Sequence, residues 1–323
     1  MTAPIVSATP QAIAKACAIL RAGGLVAIPT ETVYGLAADA SNPAAVARLY
    51  ATKQRPQFNP LIAHVPNLAA AQQEGQFSPL AVQLAQRFWP GPLSLVVNIS
   101  AGTQTCDLAR AGLDSLALRV PNHPATLALL SAYQAPLVAP SANPSGRISP
   151  TQAAHVARDL GDDIDLILDG GPCTSGLEST ILDVRHTPPT LLRSGSLPKA
   201  NLESLLPSLR LSESDPSAPR APGQLLRHYA PRARLRLNAD VADAGEAHLG
   251  FGPMQATLNL SERGDLREAA QNLFAMLRTL DATHTAIAVA PIPNYDLGEA
   301  INDRLTRAAS ATTDPKCPSP TPS

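Results

Sequence analysis

Lys53 and Arg55 stand two residues apart in Lys53-Gln54-Arg55-Pro56, an ammonium and a planar guanidinium that together suit phosphate or carboxylate oxygens. In a non-helical stretch the two would point to the same side, and the ordinary alternative is a solvated charge pair. Asn59 follows, then an apolar run that carries His64, a residue that by itself reads as a satisfied core histidine. Ser141-Ala142-Asn143-Pro144-Ser145-Gly146 continues to Ser149-Pro150-Thr151, where small hydroxyls beside a helix start make an oxyanion or phosphate cradle, or simply a capped turn. Arg119 interrupts the apolar run that begins at Ser115, and a buried arginine needs an anion, either an internal acid or a substrate carboxylate. Pro29-Thr30-Glu31-Thr32-Val33-Tyr34-Gly35 places hydroxyls and a carboxylate at the end of another apolar run. The glycine-flanked loop Gly170 to Thr180 could turn backbone amides toward an anion, and Arg193-Ser194-Gly195 and Arg227-His228-Tyr229-Ala230-Pro231 could close over a site.

These segments hang on elements with readable periods. Apolar positions at Ile13, Ala16, Cys17 and Leu20, stopped by Gly23-Gly24, predict a helix over 9–22, and LVAIP predicts a short buried strand after it. Helices follow near 43–52, 79–88, 123–132 and 150–158, with strands near 60–65, 93–99, 115–120, 136–140, 165–169, 178–184 and 190–193. The strand succession over 165–193 has no helix within it, which argues for a mixed α/β sheet over a regular parallel one. The expected division is a catalytic-size domain over 1–205, a Pro/Ser-rich linker over 206–230, a smaller α/β domain over 231–309 and a disordered tail over 310–323.

Composition excludes several classes. The net charge of −1 argues against a general polyanion binder, and the one basic cluster is Arg227, Arg232, Arg234 and Arg236. The four cysteines form no C-x-x-C pair, so no zinc site or disulfide framework is expected, and a reducing cytoplasmic setting is the simplest reading. No apolar run is long enough to cross a membrane, and neither a G-x-x-x-x-G-K-[ST] loop nor a G-x-G-x-x-G turn is present.

The ordered motifs PTETVYGL, KQRPQFNPLIAHV, FWPGPLSLVV, LALRVPNHP, PLVAPSANPSG, GLESTILDV, LRSGS and HYAP, with DLGEAINDRLTRAAS at 296–310, strongly resemble the YrdC-type L-threonylcarbamoyladenylate synthases in their long form. The resemblance runs from about residue 8 to 231, with one departure: the family's Arg-Pro-Gly is Arg193-Ser194-Gly195 here. It implies a YrdC-like twisted mixed sheet followed by a linker and a smaller Rossmann-like domain. It also implies a nucleotidyltransferase that makes L-threonylcarbamoyl-AMP and pyrophosphate from L-threonine, bicarbonate or CO2, and ATP with Mg2+. The product would pass to a separate threonylcarbamoyl transferase complex that modifies adenosine beside the tRNA anticodon. By the same resemblance Lys53, Arg55, Ser141 and Asn143 form the catalytic tetrad, and Thr32, His64, Arg119, Ala139 and Ser179 surround threonine. Arg55, Asn59, Ser115, Ser141, Ser149, Arg193, His228 and Tyr229 would touch ATP. The competing class is a non-catalytic double-stranded RNA or tRNA-binding module of the same fold, for which a weak RNA contact at the basic cluster is the support. A carbamoyl-handling relative of the hydrogenase maturation type would carry zinc-finger and acylphosphatase-like segments, and neither is visible.

Overall fold

A computed structural model describes residues 2–212 and 229–312, with the side chains of 311 and 312 excepted. Four of its helices start where a polar residue precedes proline. Thr9, Asn42, Ser78 and His123 each accept a backbone N–H in the first turn, and the proline behind them already has the helical φ and no N–H to satisfy.

In chain order the first domain runs β1 (Ile5–Ser7), α1 (Pro10–Arg21), β2 (Val26–Ile28), β3 (Gly35–Asp39), α2 (Pro43–Thr52), β4 (Ile62–His64), α3 (Leu68–Glu74), β5 (Gly75–Gln76) and α4 (Pro79–Phe88). It continues with β6 (Leu93–Ile99), β7 (Ser115–Arg119), α5 (Pro124–Tyr133), β8 (Leu137–Val138), α6 (Ala153–Leu160), β9 (Leu166–Asp169), β10 (Thr180–Asp183), β11 (Thr190–Arg193), α7 (Lys199–Glu203) and β12 (Arg210–Leu211). These strands join in one sheet of order β1-β9-β2-β3-β8-β4-β7-β6-β10-β11-β12, with β5 beside β6. Its pairs are both parallel (β4 with β7, β6 with β10) and antiparallel (β2 with β3, β6 with β7), the mixed sheet that the uninterrupted strands over 165–193 predict.

The second unit comprises β13 (Arg234–Arg236), β14 (Ala247–Gly250), β15 (Leu258–Asn259), α8 (Leu266–Thr283), β16 (Ala286–Val289) and α9 (Leu297–Thr312). Its four strands are all parallel, in the order β13-β16-β14-β15. Leu273, Phe274 and Leu277 of α8 pack with Ile301 and Leu305 of α9 in a core that also takes in Val33, Ile148, Leu177 and Tyr229. The two units therefore share apolar packing. Gly176 marks how close they come: its φ is +73°, and a Cβ there would meet the backbone of Ala270 and Gln271 in α8. The linker expected over 206–230 and the tail expected over 310–323 fall largely on 213–228 and 313–323, outside the described residues; within those ranges β12 pairs with β11 at Arg210–Leu211 and α9 runs on to Thr312. Among the described residues no helix is long and apolar enough to cross a membrane.

Candidate active site

The site is built where β2 ends and the chain turns back into β3. Thr30 donates its hydroxyl to the carbonyl of Val33 (2.6 Å) and pairs with the Thr32 hydroxyl at 2.8 Å, which shapes the 29–34 loop and leaves Thr32 on the cavity wall. Across the cavity, β4 and β7 run parallel with His64 in register with Arg119, so both are delivered to the same end of neighbouring strands. Ala139 follows β8 and donates its N–H to Ile62 at 3.2 Å, and Ser141 bridges to Gly35 at the start of β3.

One cavity thus gathers Thr32, Arg55, His64, Arg119, Ala139, Ser141, Ser179, Arg193 and Tyr229, nine of the residues singled out from the sequence. Of the other six, five do not line it and the sixth, His228, is not among the described residues. Lys53 caps the end of α2, and its ammonium is buried against the carbonyls of Ser141, at 2.5 Å, and Asn143. As the C-cap of α2 it reaches the Ser141–Asn143 loop, while Arg55 lines the cavity. Burial and the neighbouring Arg55 push its pKa well down. Asn143 donates to the carbonyls of Pro144 and Arg147, both at 2.9 Å, and so shapes that loop. Asn59 is buried behind Arg55, which donates to its carbonyl at 3.3 Å. Ser115 begins β7, four residues and roughly 13 Å of strand from Arg119. Ser149 gives its hydroxyl to Glu178 at 2.6 Å, and His228 lies outside the described residues.

Charge dominates this cavity. Arg119 finds its anion within the protein: Glu31 Oε1 lies 2.8 Å from its guanidinium, and both groups are buried. Arg193 donates to the Ser179 carbonyl at 2.8 Å, while burial lowers its pKa to about 10. Arg55 pairs with no carboxylate among the described residues. Its guanidinium donates to the carbonyls of Asn59 and Pro60, and burial, with Arg193 nearby, holds its pKa down at about 10. His64 is neutral: burial first, and then Arg119, push it down to about 3.

Glu178 and Arg304 carry a feature that sequence reading missed. Glu178 lines the cavity; burial raises its carboxyl, but Arg304, Arg193 and the Ser149 hydroxyl outweigh that and hold it at about 2. Arg304, on α9 and 1% exposed, donates to Glu178 at 2.9 Å and to the Ser194 carbonyl at 2.9 Å, and lies 5.1 Å over the Tyr229 ring. Tyr229 stacks on Phe274 of α8 with ring centroids 5.5 Å apart. Both residues stand in quoted motifs, GLESTILDV and DLGEAINDRLTRAAS, yet their 126-residue separation hides the pair from any local pattern. Gly195 packs so closely on Glu178 that a Cβ would strike its carbonyl, which explains the glycine that follows Ser194.

A cavity of cationic and hydroxyl groups on a mixed α/β sheet, buttressed by a second α/β unit, defines an enzyme that handles anionic substrates. A family model described as telomere recombination, covering the Sua5, YciO and YrdC proteins, matches residues 18–195, and one described as the C-terminal domain of threonylcarbamoyl-AMP synthase matches 197–310. The threonylcarbamoyl-AMP synthase of Pyrococcus abyssi is 37% identical, with 91% of this chain and 93% of that protein aligned, and the Bacillus subtilis protein of that name is 36% identical over 92% of each. The crystal structure of P. abyssi Sua5 complexed with L-threonine superimposes with a TM-score of 0.88 at 35% identity, covering 96% of this chain and 98% of that one. The chain belongs to the threonylcarbamoyl-AMP synthase family, a family of tRNA-modifying enzymes.

Proposed function

We propose that this protein joins L-threonine, bicarbonate or CO2, and ATP into L-threonylcarbamoyl-AMP and pyrophosphate, for N6-threonylcarbamoyladenosine formation in tRNA by a downstream transferase. The observation that carries this reading is Arg55: a buried guanidinium on the cavity wall that donates to two backbone carbonyls beside the Tyr50 hydroxyl and, among the described residues, meets no carboxylate, so the missing anion is a substrate. Phosphates of ATP fill that role, with Arg193 beside them. Ile62, Val96, Ala117, Ile181 and Leu192 form an apolar cluster between Ser115 and the arginines that suits the adenosine. Lys53 and Asn143 act from behind, holding the carbonyls and turn of the loop that presents Ser141.

Threonine lies at the other end, its carboxylate on Arg119 and its hydroxyl and methyl among Thr32, His64, Ala139 and Ser179. The threonine amine bonds to the carbon of CO2 and passes a proton to solvent, or bonds to the carbon of bicarbonate, whose hydroxyl leaves with that proton as water. A carbamate oxygen then attacks the α-phosphorus, and the bond to the β-phosphate oxygen breaks to release pyrophosphate. Placement and charge neutralisation account for the rate, and no protein nucleophile is needed. Glu178 is committed to Arg304 and Ser149, so Mg2+ would be held through ATP phosphates and water, where it adds positive charge to the triphosphate. Pyrophosphate release from purified protein is expected to require L-threonine and to fall strongly with L-serine. Release independent of the amino acid would overturn this function.

A further inference from the structure

A second cavity, about 300 Å³, opens on the seam between the two units, on the far side of the Ser141–Asn143 loop. Three exposed arginines reach it from three segments: Arg147 after the loop, Arg158 on α6, and Arg232 just past Tyr229. Its two carboxylates are already engaged. Asp159 takes Arg278 of α8 through both oxygens, at 3.1 and 2.5 Å, and Asp281 accepts the N–H groups of Arg232 and Ala233 at 2.6 and 2.8 Å. Neither Arg147 nor Arg232 pairs with a carboxylate among the described residues, and the nearest to Arg158 is Asp159 at 3.7 Å. His155 beside the cavity is partly buried and is pushed down to about 4, by burial first and then by Arg278 and Arg158 against Asp159.

We propose that this seam cavity is a second anion site, separate from the catalytic one, that takes a compact inorganic phosphate chain such as pyrophosphate. Three arginines lining one concavity match a small polyanion, whereas a nucleic-acid strand, with its charges spread along a line, needs a stripe of cations. The bound anion bridges the units, since Arg147 and Arg158 belong to the first and Arg232 enters the second. It also abuts both halves of the catalytic cavity wall: Asn143 donates to the Arg147 carbonyl, and Ala230, next to Tyr229, donates to Gly146 at 2.7 Å. The assignment rests on the arginine geometry; the proposed reaction enters only in the choice of pyrophosphate, its second product, as the probe.

The test is a calorimetric titration of pyrophosphate into the full-length protein with its catalytic cavity saturated by L-threonine and a non-hydrolysable ATP analogue. One binding event per chain is expected, weakened by about tenfold or more in the Arg158→Gln/Arg232→Gln double variant. Threonine-dependent turnover at low product concentration should change less than about twofold in that variant, because neither side chain faces the catalytic cavity. No binding with the catalytic cavity filled, or binding unchanged in the double variant, overturns the proposal. So does a short single-stranded RNA that binds the filled protein through these arginines while pyrophosphate does not. Turnover assayed separately in the wild type shows whether the catalytic reading itself has failed.

Discussion

Replacing Arg304 by methionine keeps much of the side-chain volume and removes the cation that α9 sends into the first domain. Glu178 then stays buried with its main partner gone. Two routes give the size of the loss. Breaking a buried pair by removing one member costs about 3–5 kcal/mol, because the remaining charge is stranded. Independently, a carboxyl held at about 2 in place of the ordinary 4.5 corresponds to about 3 kcal/mol at about 1.36 kcal/mol per pH unit. The loss of the cation's contact with the Tyr229 ring adds about 1 kcal/mol. Because the folded carboxyl is more acidic than the unfolded one, this stabilisation is complete above about 4.5 and is lost as the pH falls toward about 2. Denaturant unfolding at neutral pH should show Arg304→Met destabilised by about 4 kcal/mol, and its stability should fall less steeply than that of the wild type between pH 5 and pH 3. A double-mutant cycle with Glu178→Gln should return a coupling of about 2 kcal/mol or more. A loss below about 1 kcal/mol with an unchanged acid limb would refute the reasoning, for the pair would then be only a contact between independently docked units.

Three further outcomes follow from the same geometry. Arg55→Ala, in steady-state pyrophosphate release, should lower kcat/KM for ATP by about 100-fold or more, since it removes a cavity-wall cation that meets no carboxylate among the described residues. His64, held down at about 3, favours the folded state above its unfolded value near 6.5 and withdraws that support as the pH falls from there toward about 3. Its imidazole therefore stays neutral, and NMR titration of its ring should show no inflection between pH 5 and pH 8. Gly176→Ala forces a Cβ against the α8 backbone from a left-handed conformation, and should loosen the docking of the two units, read as faster proteolysis at their junction and a Tm several degrees lower.

The helix starts were legible because a capping side chain followed by proline is a local signal, repeated at Thr9, Asn42, Ser78 and His123. The mixed sheet was legible too, from strands that follow one another without a helix between them. β3 was not, because Gly-Leu-Ala-Ala-Asp has neither alternation nor β-branched residues; it is a strand because β2 and β8 flank it on both edges. The residues of the cavity could be named from motifs, but their directions could not. Lys53 reaches the Ser141–Asn143 loop because of where α2 ends, and Arg119 is met by Glu31, 88 positions earlier in the chain. The pairing of Glu178 with Arg304 joins two domains, and no period within either element encodes a partner so distant.

The central claim is that the cavity joins a threonine carbamate to adenylate. Incubating the protein with ATP, Mg2+, L-threonine and 13C-bicarbonate, followed by mass spectrometry of the nucleotides, tests it directly. An adenylate carrying threonylcarbamoyl mass with a single 13C, formed together with pyrophosphate, is expected. An adenylate bearing threonine without the labelled carbon, or AMP alone, would contradict it.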